Sequence, residues 1–256
     1  MKDKMEIVRN WLPRYTDRAL KDFGPYILLT NFDEYVDKFA EWNNVAVNGR
    51  TRPMRSATAG EITIINFGMG SANAATIMDL LSGIKTEAVL FLGKCGGLKK
   101  VNALGDLILP IAAIRGEGTS NDYAPPELPA LPAFALQKAI SRTIREHSRD
   151  YWTGSIYTTN RRVWEHDDDF KEYLEHNRIM GIDMETATIF TVGFHNHITV
   201  GALLLVSDQP MTPEGVKTEH SDRLVTEKFV DDHLRIGIAS LRQLIENGET
   251  VRHLKF

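Results

Sequence analysis

The sequence predicts a single α/β domain, residues 1–256, with a central mixed β-sheet flanked by helices. Three observations carry that expectation. Short runs rich in Val, Ile and Leu recur along the chain, and most lack strict polar alternation, the pattern of strands buried on both faces. Longer segments with apolar residues at helical spacing separate them, which implies a largely parallel or mixed sheet. No repeat, low-complexity tract or interdomain linker breaks the alternation, and 256 residues suit one large domain.

In chain order the strands read as YILLT (26–30), EITIINF (61–67), AVLFLG (88–93), GDLILPIAAI (105–114), YWTGSIYT (151–158) and VGALLLVS (200–207). Helical patterns cover NAATIMDLLSGI (73–84), which follows GMGS, and ALPAFALQKAISRTIREH (130–147), with prolines in its approach. DDDFKEYLEHN (167–177) opens with acids, which the positive end of a helix dipole favours. ETATIFTVGFHN (185–196) and the long segment 221–247 complete the set. The Pro-dense stretch TSNDYAPPELPALP (119–132) is long for a loop in a compact domain, and such loops are often functional.

Composition narrows the function classes. Hydrophobic residues make up 43% and charged residues 25%, ordinary usage for a soluble globular chain. A formal charge of -4 argues against binding nucleic acid by bulk electrostatics, though a few local cations can still hold a small anion. The single cysteine, Cys95, excludes an intrachain disulfide and a Cys-rich zinc site. The N-terminal residues lack the apolar core of a signal peptide, and no run approaches the about 18 apolar residues of a membrane span. A cytoplasmic protein without metal or organic cofactor is expected.

Ligands in such folds bind beyond the carboxyl ends of strands, so each strand exit is a place to look. Gly68 and Gly70 in GMGS permit positive φ and lead into a helix N-terminus, which suits either a tight turn or an anion; Asn73 stands where a dinucleotide fingerprint would want glycine. GKCGGL (93–98) sets Lys94, a ligand cation or a solvated charge, beside Cys95, for which a buried structural role is expected. RGEGTSNDY (115–123) gathers Arg115, Glu117 and Thr119, in a binding loop or merely a polar one. TNRRVWEHD begins at Thr159 and places Arg161 beside Arg162; paired guanidiniums suit a phosphate, which they grip in bidentate fashion. Asp208 in SDQP follows a buried strand as a cap or a reactive acid. GIDMETATIF (181–190) puts Asp183 and Glu185 around Met184 in an otherwise apolar segment, where an unpaired carboxylate is costly.

Taken together, GMG (68–70), GKCGGL (93–98), RGEGTS (115–120), DMETAT (183–188) and SDQP (207–210) resemble, in order, the nucleoside phosphorylase superfamily of purine nucleoside phosphorylases, uridine phosphorylases and N-glycoside hydrolases. Within it the chain looks most like the short bacterial enzymes that hydrolyse AMP to adenine and ribose 5-phosphate. The resemblance implies Asp208 as the catalytic group, donating to purine N7. It implies Glu185 at the ribose hydroxyls with Met184 packed against the sugar, and assigns no role to Asp183. Gly68, Gly70, Gly93, Lys94, Arg115, Glu117, Thr119, Thr159, Arg161 and Arg162 complete the candidate substrate-binding set. A hexamer is implied as well.

Phosphorylases of the superfamily carry Arg two residues before the glycine aligned with Gly93 and Ser or Thr after it, where this chain has Phe91 and Lys94. Their early phosphate loop is also missing, its place taken by TNFDEY (30–35). Water is therefore the expected nucleophile and AMP the expected substrate, its 5′-phosphate on Arg161 and Arg162 with help from Lys94 or Arg115. Arg115 could instead hold a regulatory phosphate, and Glu117 is the guess for water activation. The alternatives are a phosphate-dependent purine nucleoside phosphorylase and a nucleotide-binding regulator without catalysis.

Overall fold

Residues 3–247 are described by a computed structural model, so the expected domain limits, 1 and 256, lie outside the described residues. The chain runs α1 (Lys4–Thr16), β1 (Tyr26–Thr30), α2 (Asp33–Asn43), β2 (Ser56–Ala59), β3 (Ile62–Asn66), α3 (Ser71–Leu81), β4 (Ala88–Gly97), β5 (Leu107–Gly116), α4 (Phe134–Glu146), β6 (Trp152–Thr159), α5 (Asp168–His176), β7 (Gly181–Asp183), α6 (Thr186–His195), β8 (Val200–Asp208) and α7 (Glu219–Glu246). The strands form one mixed sheet in the order β2-β3-β1-β4-β7-β6-β5-β8. Because β4 also pairs with β8, strands β4, β7, β6, β5 and β8 close into a ring. β1 joins this ring through parallel pairing with β4, and β3 follows it.

Burial explains why these runs became strands. All ten residues of β4 are buried, and eight of the nine in β8, as a sheet covered on both faces requires. On one face α1, α3 and α6 cover a core containing Leu12, Met78, Phe91 and Phe190. On the other, α2, α4 and α7 cover a core containing Phe39, Leu92, Leu136 and Leu234. A smaller cluster of Trp164, Leu174, Ile179 and Ile182 fills the space beneath α5. None of the helices among the described residues is long and apolar enough to cross a membrane.

The expected strands and helices are all present, with two kinds of correction. Elements α1, α2 and β2 were not anticipated: α2 begins at Asp33 inside the stretch read as a loop, while β7, the strand end ahead of α6, is only three residues long. The exits of β4 and β5 also lie later than their glycines implied. Gly93 sits within β4 because the Phe91 ring crosses it; a Cβ there would come 2.5 Å from Phe91 Cζ. Its glycine serves close packing, not a turn. Gly116 is likewise crossed by the Tyr157 ring inside the β5–β6 pair.

Candidate active site

Five strand ends bound one cavity of about 330 Å³. Asn31 and Phe32 reach it after β1, Lys94 to Gly96 from the end of β4, and Thr159, Arg161 and Arg162 from the end of β6. Asp183 to Glu185 come from the β7–α6 junction, and Ser207 and Asp208 from the end of β8. Met69, Trp164, Glu165, Lys217 and Asp222 complete the wall.

The β7–α6 junction explains how two carboxylates survive in an apolar segment. Asp183 is buried, accepts the Thr158 hydroxyl at 2.7 Å, and accepts both the amide and the hydroxyl of Thr186 at 2.9 and 2.5 Å. It thus satisfies the free N–H groups at the start of α6 and ties that helix to β6. Two residues on, Glu185 is 2% exposed and points its carboxylate into the cavity wall. Its Oε1 accepts the Gly70 amide at 2.7 Å and its Oε2 the Met184 amide at 3.3 Å. Gly70 makes that reach at φ 93, and Gly68 precedes it at φ 86, conformations that glycine adopts without a Cβ penalty. Burial, and then the neighbouring charge of Asp183, raise the Glu185 pKa to about 8, against the pull of those two amides.

Asp208 stands at the end of β8, register partner of Gly96 on β4. Its Oδ1 accepts the Ser207 hydroxyl at 2.7 Å. Burial raises its pKa; the Ser207 bond and the charges of Lys217 and Arg162 oppose the rise. A carboxyl in that setting holds its proton further up the pH scale and so is suited to donating one.

Four cations line the same space. Lys94 is buried; its ammonium donates to Asp222 Oδ1 at 3.0 Å and Thr226 Oγ1 at 2.8 Å, and lies 4.5 Å from the centre of the Phe32 ring. Lys217 meets the same Asp222 oxygen at 3.0 Å. Arg161 pairs with Asp167 at 2.7 Å and lies 4.9 Å over the Phe170 ring, while Arg162 is 3.7 Å from Glu165. The two guanidiniums are about half exposed, at 48% and 56%, and so remain accessible to a ligand.

Of the residues singled out in the sequence, Lys94, Thr159, Arg161, Arg162, Met184, Glu185 and Asp208 therefore share one cavity. Gly68 and Gly70 stand behind Glu185, and Gly93 beneath Phe91. Three others are committed elsewhere. All five N–H donors of Arg115 are taken by the loop 119–132: Nε by the Ser120 hydroxyl, and the terminal nitrogens by the Asn121 side chain and the carbonyls of Ala124, Pro125 and Leu128. That leaves no donor for a phosphate, so the regulatory and substrate roles expected of Arg115 both fall away. Glu117 is buried and accepts the amides of Gly118 and Ser120 and the Thr188 hydroxyl, with no side in the cavity for activating water. Thr119 meets the Ser71 hydroxyl at 2.7 Å, behind the wall. Cys95 is buried as expected, and burial pushes its thiol pKa well up, away from nucleophilic chemistry.

Comparison with known proteins places this arrangement. The family model described as "Phosphorylase superfamily" matches residues 25–246. The chain belongs to the phosphorylase superfamily. A crystal structure of AMP nucleosidase from Bacteroides thetaiotaomicron VPI-5482 is 56% identical, with a TM-score of 0.87, over 96% of this chain and 99% of that one. AMP nucleosidase of Escherichia coli (strain K12) is 28% identical over 95% of this chain; the chain spans 60% of the length of that relative. A uridine phosphorylase structure from Vibrio fischeri ES114, 24% identical over 87% of this chain with a TM-score of 0.77, shares the fold.

For a phosphorylase-superfamily chain the residues left unread are as informative as those that were read. Lys217 and Asp222 lie more than a hundred positions from Lys94, in a stretch with no local motif, and only the packing of α7 over β4 unites them. Asn31 and Phe32 fall in the loop flagged only for what it lacks. The remaining signal was generic: polar residues directly after a buried strand.

Proposed function

We propose that this protein hydrolyses the N-glycosidic bond of AMP, giving adenine and ribose 5-phosphate. The observation that carries this reading is the single cavity holding a buried Glu185, an Asp208 whose pKa burial raises, and the Arg161–Arg162 pair. The 56% identity to the Bacteroides AMP nucleosidase supports it. Cleavage passes through an oxocarbenium-like transition state in which charge builds on the departing purine, so a proton delivered by Asp208 to N7 lowers the barrier. Glu185 accepts from the ribose hydroxyls, and those two donors stabilise the carboxylate that burial disfavours. Arg161 and Arg162 hold the 5′-phosphate.

Water is the nucleophile in this reading. The two positions at which phosphorylases grip inorganic phosphate hold Phe91, buried against Phe67, and Lys94, already bonded to Asp222 and Thr226. A cytoplasmic location and assembly into a hexamer belong to the same proposal, the latter on resemblance alone.

The deciding experiment is chromatography of the products after incubation with AMP, dAMP, IMP, GMP and adenosine, with and without inorganic phosphate. Adenine and ribose 5-phosphate from AMP without phosphate are the expected products. Strict phosphate dependence with a ribose 1-phosphate type of product would replace hydrolysis by phosphorolysis, and no base release from any substrate would leave a binding protein.

A further inference from the structure

The hydrolysis proposed above needs a group to hold and deprotonate water, and the cavity offers five carboxylates for it. Both oxygens of Asp183 serve Thr158 and Thr186, and both of Glu185 serve backbone amides. Glu165 accepts the Trp164 amide on one oxygen and faces Arg162 with the other. Asp208 is placed at the purine. Asp222 differs from all four. It enters from the first turn of α7, and its Oδ1 receives Lys94 and Lys217, each at 3.0 Å. Its Oδ2 accepts no hydrogen bond from the described residues.

The carboxylate is thus anchored through one oxygen and presents the other. Lys94 is itself fixed by Thr226 and the Phe32 ring, so the anchor is rigid. Partial burial alone would raise the Asp222 pKa, but Lys217 and Lys94 hold it below the usual carboxylate range. It stays ionised at neutral pH. The placement is also suitable: Lys94 lies two residues before Gly96, the register partner of Asp208, and Lys217 contacts Asp222 while its charge bears on Asp208. Acid and base then line one cavity, the arrangement that glycoside hydrolysis with an activated water needs.

We propose that Asp222 is the general base that positions and deprotonates the attacking water. This rests on the reading of the site as one that hydrolyses AMP. The C1′–N9 bond breaks, its electron pair leaves with the purine, and N7 takes the Asp208 proton. Water forms the new C1′–O bond and gives a proton to Asp222 Oδ2. Asp222 ends protonated and Asp208 ionised, and exchange with solvent restores both. A weak base suffices, because the water becomes strongly acidic only as its oxygen bonds to the cationic sugar.

The test compares Asp222→Ala and Asp222→Asn with the wild-type protein, following adenine release from AMP. In both, kcat falls by roughly 100-fold or more, a general-base loss, with KM within about threefold. Sodium azide restores adenine release in Asp222→Ala and yields a ribosyl azide 5-phosphate by mass spectrometry, while leaving the wild type unaccelerated. A purely structural Asp222 would show no azide rescue. The proposal is overturned if either variant keeps kcat within about threefold of the wild type, or if azide fails to rescue a folded Asp222→Ala. Should the alanine variant not fold, the isosteric Asp222→Asn decides by its kcat against KM. A wild-type protein that releases no adenine from AMP overturns the parent reading, whereas an active wild type with an unrescued variant overturns this role alone.

Discussion

Glu185 owes its character to burial and to four neighbours: the Asp183 charge, the amides of Gly70 and Met184, and the Asn31 side chain. Its pKa rises from 4.5 to about 8 on folding, so its contribution to stability is whole below pH 4.5 and is lost as the pH climbs through 8. Glu185→Gln, which mimics the neutral carboxyl, should therefore gain stability relative to the wild type, and gain more at pH 9 than at pH 5. Urea unfolding at the two pH values checks this; an equal difference at both would contradict it. With AMP the same variant should lose activity through weaker ribose engagement. Asp208→Asn keeps the size of the side chain but cannot donate an acidic proton, so kcat should drop by about 100-fold or more. Turnover near the wild-type value would remove Asp208 from the acid role. For Arg161→Ala and Arg162→Ala, the kcat/KM preference for AMP over adenosine should shrink in at least one; undiminished preference in both would move the phosphate elsewhere in the cavity. Asp208, Arg161 and Arg162 were legible because each follows a buried strand within a few positions, and Glu185 because an acid pair interrupts an apolar segment. Asp222 was not, because its partners Lys94 and Lys217 are brought to it only by tertiary packing.

At the scale of elements, the loop 119–132 is ordered by one side chain. Arg115 spends its five donors there, three on backbone carbonyls, of which that of Pro125 also accepts the Leu128 amide. Arg115→Ala should destabilise the fold by about 1–3 kcal/mol and expose the loop to proteases, with KM for AMP within about twofold. A large rise in KM instead would return Arg115 to the site. The sequence reading took this arginine for a ligand because a cation after a buried strand looks the same in either role. Most helices and strands were readable from their period, whereas α1, α2, β2 and the element ends were not. Glycines in β4 and β5 looked like turns, although rings from Phe91 and Tyr157 cross them.

For the whole molecule, α7 is pinned to both α2 and β8 through a buried histidine. His233 Nε2 lies 3.0 Å from the Leu203 carbonyl, which can only accept, so Nε2 carries the hydrogen and Nδ1 accepts from the Tyr35 hydroxyl at 2.8 Å. Burial lowers its pKa from 6.5 to about 4, with the Leu203 bond opposing and the Lys94 and Arg149 charges assisting. Its neutral form is favoured in the fold, so the contribution is whole above pH 6.5 and disappears as the pH falls through 4. The urea midpoint should accordingly fall between pH 6.5 and 4, and a His233→Leu protein, though weaker at neutral pH, should show a flatter acid slope over that range. An unchanged slope would mean that other groups govern acid unfolding.

The closure of β4 against β8 sets a timetable for the newborn chain. β8 ends at residue 208, and Lys217 and Asp222 follow it. During synthesis the earlier strands emerge first, but no partial product shorter than about four-fifths of the chain contains the walls of the cavity. The cavity is therefore complete only once the closing strand and the helix behind it have left the ribosome.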